Sequence, residues 1–106
     1  MAPQLAPADF QFEVLDSNKP VLVDFFGDHC GGCAMIAPLI DQLAGEVGDR
    51  AKVFKMNAVE AREISKSYGL RSVPTLLFFH NGEVKDQVIG AGISKDQLAA
   101  KLLALA

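Results

Sequence analysis

The chain has 106 residues, half of them hydrophobic, and ten basic against thirteen acidic side chains give a net charge of −3. That length fits one domain over residues 1–106, with enough apolar surface to fold without disulfide staples or a structural metal. No basic block invites nucleic acid, no apolar run reaches the about 18 residues of a membrane-spanning helix, and Met1-Ala2-Pro3-Gln4-Leu5-Ala6-Pro7 lacks the basic and apolar regions of a secretory signal, so a cytoplasmic protein without membrane contact is expected.

Ala8–Leu15 predicts a first helix, with Phe10 and Val14 four apart and Pro7 tolerated near its start. Val21–Phe26 is a β-branched and aromatic run, the mark of a buried strand. Gly27-Asp28-His29 then turns the chain into a helix from about Cys33 to Val47, whose core face is Ile36, Ile40, Leu43 and Val47 and which Pro38 should kink. A second strand near Lys52–Met56 completes a β-α-β unit, expected to be parallel and right-handed. Asn57 with Glu60 predicts a capped short helix carrying Ala61, Ile64 and Tyr68 and ended by Gly69. Thr75–His80 and Glu83–Ile89 flank Asn81-Gly82, a strong hairpin signal. The last helix is announced by a Ser94/Gln97 capping box and an Ile93/Leu98 staple, with Leu98, Leu102 and Leu105 on one face. A parallel unit joined to an antiparallel hairpin implies an α/β architecture, one central mixed sheet with helices on both faces.

The only two cysteines are Cys30 and Cys33, with Gly31 and Gly32 between them. A bridge this short adds little as a staple, and in a reducing compartment a disulfide is usually transient, so the pair reads as reactive. It falls where a strand passes into a helix. Residues i and i+3 of a helix have Cα atoms roughly 5 Å apart, within the range of a disulfide, so the sulfurs can join or separate with little backbone movement. At the helix start Cys30 faces unpaired N–H groups and the positive end of the dipole, which favour its thiolate; Cys33, one turn in, should be more buried and act second. Asp24 shares a strand face with Leu22 and Phe26, so its carboxylate is either buried among them or reaches water at the strand end. Lys55 alternates with Phe54 and Met56.

Val23-Asp24-Phe25-Phe26, the C-G-x-C motif, Met35-Ile36-Ala37-Pro38, Val73-Pro74-Thr75 and Asn81-Gly82-Glu83 resemble the thioredoxin family in order and spacing, across essentially the whole chain. C-x-x-C alone is a weak signal, equally half a zinc site; with these companions it is strong. The resemblance implies a thioredoxin-like fold and a protein-disulfide reductase that cycles a Cys30–Cys33 disulfide, with no bound cofactor or metal. It implies protein disulfides as substrates, a thioredoxin reductase as electron donor, and a monomer. It makes Asp24 a buried proton acceptor or donor for Cys33, and Lys55 its neighbour. It also implies a cis Val73–Pro74 bond against the cysteines, with substrate meeting Val73, Pro74, Thr75, Gly90 and Ala91.

Three positions depart from the family pattern. His29 stands where tryptophan is usual, Gly32 where proline is usual and Ala34 in place of a common lysine. Redox tuning is therefore expected at His29, Gly31, Gly32 and Lys55. His29 is either a pH-sensitive neighbour of the thiolate or simply solvated. Proline at position 32 should fit sterically, since the position lies in the first helical turn and Gly31 carries no side chain.

Cys30, Cys33, His29 and His80 are the residue types of a zinc site. However, Pro74 begins the strand that His80 ends, and about six residues at ~3.3 Å each separate His80 from the dithiol by roughly 20 Å. A dimer sharing a metal or iron–sulfur cluster through two C-x-x-C pairs is the remaining metal alternative. A binding or holdase module would be signalled by a lost cysteine, and both are present. A glutaredoxin-like or isomerase-like exchange enzyme differs only in redox partner.

Overall fold

Why Val21–Phe26 is apolar on both sides except at Asp24 becomes plain from its place. This strand, β1, lies inside a four-stranded sheet between β2 (Lys52–Asn57) and β3 (Thr75–His80), with β4 (Glu83–Ile89) at the far edge. The computed structural model describes residues 2–106. In it β2 runs parallel to β1, while β3 is antiparallel to β1 and to β4, so the sheet is mixed as expected.

Alternation along the strands sorts the side chains into two cores. Leu22, Val53, Leu76 and Phe78 face α1 (Gly31–Val47) and α3 (Lys95–Leu103), which contribute Ile36, Ile40, Leu43, Val47, Leu98 and Leu102. Val21, Val23, Phe25, Leu77 and Phe79 face the other way, toward Phe10 and Val14 and toward Ala61, Ile64 and Tyr68 around α2 (Arg62–Ser67). The rings of Phe10, Tyr68 and Phe79 meet edge to face, with centroids 5.4 to 6.0 Å apart, the favoured geometry for aromatic clusters.

Asn81 and Gly82 take φ of 53° and 81°, as a two-residue turn matching the strand twist requires. Along the hairpin Phe78 pairs with Asp86 but Phe79 with Val84, so Lys85 is a bulge. The last helix carries its full capping box: Gln97 N–H donates to Ser94 Oγ at 3.1 Å, and Ser94 N–H donates to Gln97 Oε1 at 3.1 Å. Leu105 lies just beyond the helix, half-buried against the same core.

Three expectations need correction. Residues 8–15 are not an α-helix: a 3₁₀ turn at Pro7–Asp9 passes into a wide turn at Gln11–Leu15, closed by Asp16 N–H to Gln11 O at 2.9 Å. So short a stretch has little helical stability of its own, and the burial of Phe10 and Val14 decides its shape. Next, α1 starts at Gly31, because Cys30 itself serves as N-cap. The turn after β2 is capped by Asn57, whose Oδ1 accepts from Val59 and Glu60 N–H, but α2 proper begins only at Arg62. One feature was not anticipated from the sequence: the N-terminal segment pairs with the outer edge of β2, with Leu5 N–H to Lys55 O at 2.7 Å and Lys55 N–H to Pro3 O at 2.9 Å. That pairing covers an edge otherwise open to other chains.

Candidate active site

Beyond Phe26 the chain leaves the sheet through residues 27–29. His29 takes φ of 54°, a left-handed conformation uncommon outside glycine, and this turn presents Cys30 at the head of α1. Cys30 and Cys33 are joined as a disulfide, with Cα atoms 5.3 Å apart. Cys30 is partly exposed and Cys33 only 8% exposed, the order of accessibility expected of an attacking and a resolving sulfur. Cys33 N–H donates to Cys30 Sγ at 3.2 Å, a bond that would stabilise negative charge there in the reduced protein. The Val73 carbonyl oxygen lies 3.6 Å from Cys30 Sγ.

Val73 reaches the cysteines because the Val73–Pro74 peptide bond is cis and the chain runs past the head of α1 before entering β3. A Cβ on residue 32 would lie 3.1 Å from Pro74 Cδ and 3.8 Å from Ala91 Cβ. A side chain at position 32 therefore meets Pro74 closely, and a proline there fits once Pro74 gives way by a few tenths of an ångström. Gly90 N–H donates to Pro74 O at 2.9 Å, which ties the 90–91 loop to the same patch. Thr75 differs from the others. It is buried and its Oγ1 donates to Ser72 O at 2.8 Å, so its side chain braces this loop from within instead of facing outward.

Behind the disulfide a cleft of about 680 Å³ leads inward between β1, β2 and α1, lined by Cys30, Cys33, Ala37, Phe26, Asp24 and Lys55 among others. Asp24 is 1% exposed, and its Oδ1 has no hydrogen-bond partner. Burial pushes its carboxyl up to about 6 from 3.8; the Lys55 ammonium opposes this rise and the Asp41 carboxylate adds to it. Asp24 and Lys55 are directly opposite in the β1–β2 register, so they share one sheet face. Lys55 nonetheless pairs with Asp41, its Nζ 3.6 Å from Oδ1. His29 and Asp28 stand exposed at the mouth of the cleft, while Gly31 is exposed, with open space where a Cβ would stand. Ala34, also exposed, lines the same wall.

His80 closes β3 at the hairpin, the opposite end of the strand from Pro74. Among the described residues no group of three or more His, Cys, Asp or Glu side chains could hold a metal ion. Sequence reasoning missed Asp41, and a signal for it did exist. Cys33, Ala37 and Asp41 follow at i, i+4 and i+8, one stripe of α1, with a small residue in the middle that leaves the cleft open.

Comparison with known proteins agrees with this geometry. The thioredoxin family model matches residues 2–104. The chain is 47% identical over 90 residues to a thioredoxin of Rickettsia felis, covering 85% of this chain and 86% of that one. Against a thioredoxin of Synechocystis the figures are 43% over 100 residues, covering 94% and 92%. A chloroplastic M-type thioredoxin of Pisum sativum is 51% identical over 89 residues, covering 84% of this chain and 51% of its own.

Proposed function

The chain belongs to the thioredoxin family and is a thiol–disulfide oxidoreductase, and from that premise we propose that Cys30 attacks, Cys33 resolves and Asp24 takes the proton of the second step. The observation that carries this reading is the graded burial of the three groups along one cleft, from partly exposed Cys30 through Cys33 to Asp24.

The reduced protein begins with Cys30 as thiolate. Its sulfur attacks one sulfur of a substrate disulfide, forming a mixed disulfide and expelling the other substrate sulfur, which takes a proton from water. Cys33 then gives its proton to the Asp24 carboxylate, and the Cys33 thiolate attacks Cys30 Sγ. The second substrate sulfur leaves, and the proton held on Asp24 returns to it through the cleft. Two electrons and two protons have passed to the substrate, and Cys30–Cys33 is oxidised. A carboxyl pushed up to about 6 is matched to this task, being able both to hold and to release a proton near neutral pH.

An extended substrate segment would lie along Val73, Pro74, Gly90 and Ala91, using the Val73 backbone in the manner of an added strand. Protein disulfides are the substrates of this reading, and a thioredoxin reductase returns the two electrons. The setting is cytoplasmic, since a disulfide that must be reopened each cycle belongs in a reducing compartment, and in this reading the working unit is a monomer. His29 and Gly32 tune the couple.

Trapping tests the assignment of roles. Cys33→Ser should accumulate a mixed disulfide with substrate, while Cys30→Ser should not; the reverse pattern would exchange the two roles. Insulin disulfide reduction driven by a thioredoxin reductase should be fast and reduction driven by glutathione slow. Preference for glutathione would point instead to a glutaredoxin-like partner.

A further inference from the structure

Lys55 stands between two carboxylates that differ greatly in exposure. Asp24, opposite it in the sheet register, is closed off from water, whereas the Asp41 side chain is 29% exposed. Charge attraction alone would draw the ammonium to the less hydrated acid. Instead its ion pair is with Asp41, and Asp24 Oδ1 is left without a hydrogen-bond partner. Asp41 is itself anchored, since Ala2 N–H donates to the same Oδ1 at 3.0 Å. Lys55 is held as well, because its backbone bonds to Pro3 and Leu5 of the same N-terminal segment.

We propose that Asp41 is a positioning residue for disulfide exchange: together with the N-terminal segment it draws the Lys55 ammonium toward the outer end of the cleft and so keeps Asp24 able to accept a proton. The proposal rests on the reading of Asp24 as proton acceptor. The charged and titratable groups lining the cleft that Asp24 faces are Lys55 from β2, Asp28 and His29 from the turn and, once reduced, the two cysteines, with Asp41 of α1 behind Lys55. Of these, Lys55 is the only permanent cation and Asp41 its only partner among the described residues. Loss of the Asp41 charge should act on Asp24 twice, by removing a repelling carboxylate and by freeing Lys55 to turn inward. Both effects favour the ionised form of Asp24.

The titration of Asp24, followed by carboxyl ¹³C NMR, reads this directly. Asp41→Asn retains an oxygen for Ala2 N–H and should lower the Asp24 midpoint by roughly one pH unit, the low end of what a freed cation achieves. Asp41→Glu should restore most of the wild-type midpoint. In a Lys55→Gln background the Asp41→Asn shift should fall below half its size. A midpoint that does not fall in Asp41→Asn overturns the proposal. So does an equal shift in both backgrounds, which would mean direct repulsion without positioning. The acid limb of the insulin-reduction pH profile should move down with the NMR midpoint. NMR reports Asp24 whether or not it takes part in turnover, so the underlying reading fails separately: Asp24→Ala turning over at the wild-type rate would remove Asp24, and with it Asp41, from the reaction.

Discussion

Asp24 couples the reaction to the stability of the protein. Because its carboxyl is raised to about 6 in the folded chain, the native state binds the proton more tightly than the unfolded chain does. The associated stabilisation is therefore complete below pH about 4 and is lost as pH rises through about 6. The shift corresponds to about 3 kcal/mol. Asp24→Asn replaces a neutral acid by a neutral amide of the same size. Urea unfolding should thus find the two proteins matched at pH 4 and the variant more stable at pH 8 by up to about 3 kcal/mol, while dithiol exchange slows; a less stable variant at pH 8 would contradict burial of the charge. Gly32 bears on the couple itself. Its backbone freedom in the open loop must be removed when the disulfide closes, so a ring there should favour the closed form. Half of the usual 0.4–1 kcal/mol for such a change is a shift of roughly 5–10 mV toward more reducing values. Since a Cβ at position 32 would come within 3.1 Å of Pro74 Cδ, Gly32→Ala is the reference that carries this contact without the ring. In a glutathione buffer Gly32→Pro should be harder to reduce than Gly32→Ala, and the opposite order would mean that the lost N–H matters more than loop entropy. Alternation put Asp24 on the face of Leu22 and Phe26 but left it either buried or at water, and its role and that of Lys55 came only with the family resemblance; Asp41 lies on the Cys33–Ala37 stripe of α1, but helix spacing does not tell that it pairs with a strand lysine.

Elements whose ends are written in side-chain chemistry were readable to the residue. Asn81-Gly82 set the bounds of β3 and β4, and Ser94 with Gln97 set the start of α3. Elsewhere tertiary contacts decided. The four-residue spacing of Phe10 and Val14 suits an α-turn and a wider turn equally, and the pairing of Pro3 and Leu5 with Lys55 is too short and too proline-rich to leave a strand pattern. The bulge at Lys85 has no signature either, for the outward residues of β4 do not alternate strictly in polarity. The cap on α3 offers a clean measure of what such local chemistry contributes. Ser94→Ala removes the acceptor for Gln97 N–H and should cost about 1 kcal/mol. No residue of α3 lines the cleft, so insulin reduction at 25 °C should be unchanged while the unfolding midpoint falls. A slower reaction with unaltered stability would show that α3 reaches the active site by a route other than packing.

At the scale of the whole molecule the two cores are joined through every strand of the sheet's centre. In β3 the neighbours Phe78 and Phe79 are both fully buried, yet one belongs to the core under α1 and α3 and the other to the core under Phe10 and Tyr68. Neither face can open without loosening a strand on which the other depends. Residues 1–106 should therefore unfold as one cooperative domain, and the chain carries its own probe for this. Tyr68 is the only tyrosine and there is no tryptophan, so intrinsic fluorescence reports one face alone, while far-UV circular dichroism is dominated by α1 and α3 on the other. Leu102 is fully buried in the α3 face, and Leu102→Ala should cost about 2–5 kcal/mol through lost transfer energy and the cavity left behind. Against a total of about 5–15 kcal/mol for a domain of this size, that is a large fraction. In urea the midpoint should drop by about 1–3 M, given a slope of roughly 1.5 kcal/mol per M. Cooperativity requires the Tyr68 signal to shift by the same amount as the dichroism, although Tyr68 lies across the sheet from the substitution. If the dichroism midpoint fell and the tyrosine midpoint stayed, the two faces would be separate units, and Cys33 and Asp24, which sit on the α1 face, could lose their geometry while half the protein remained folded.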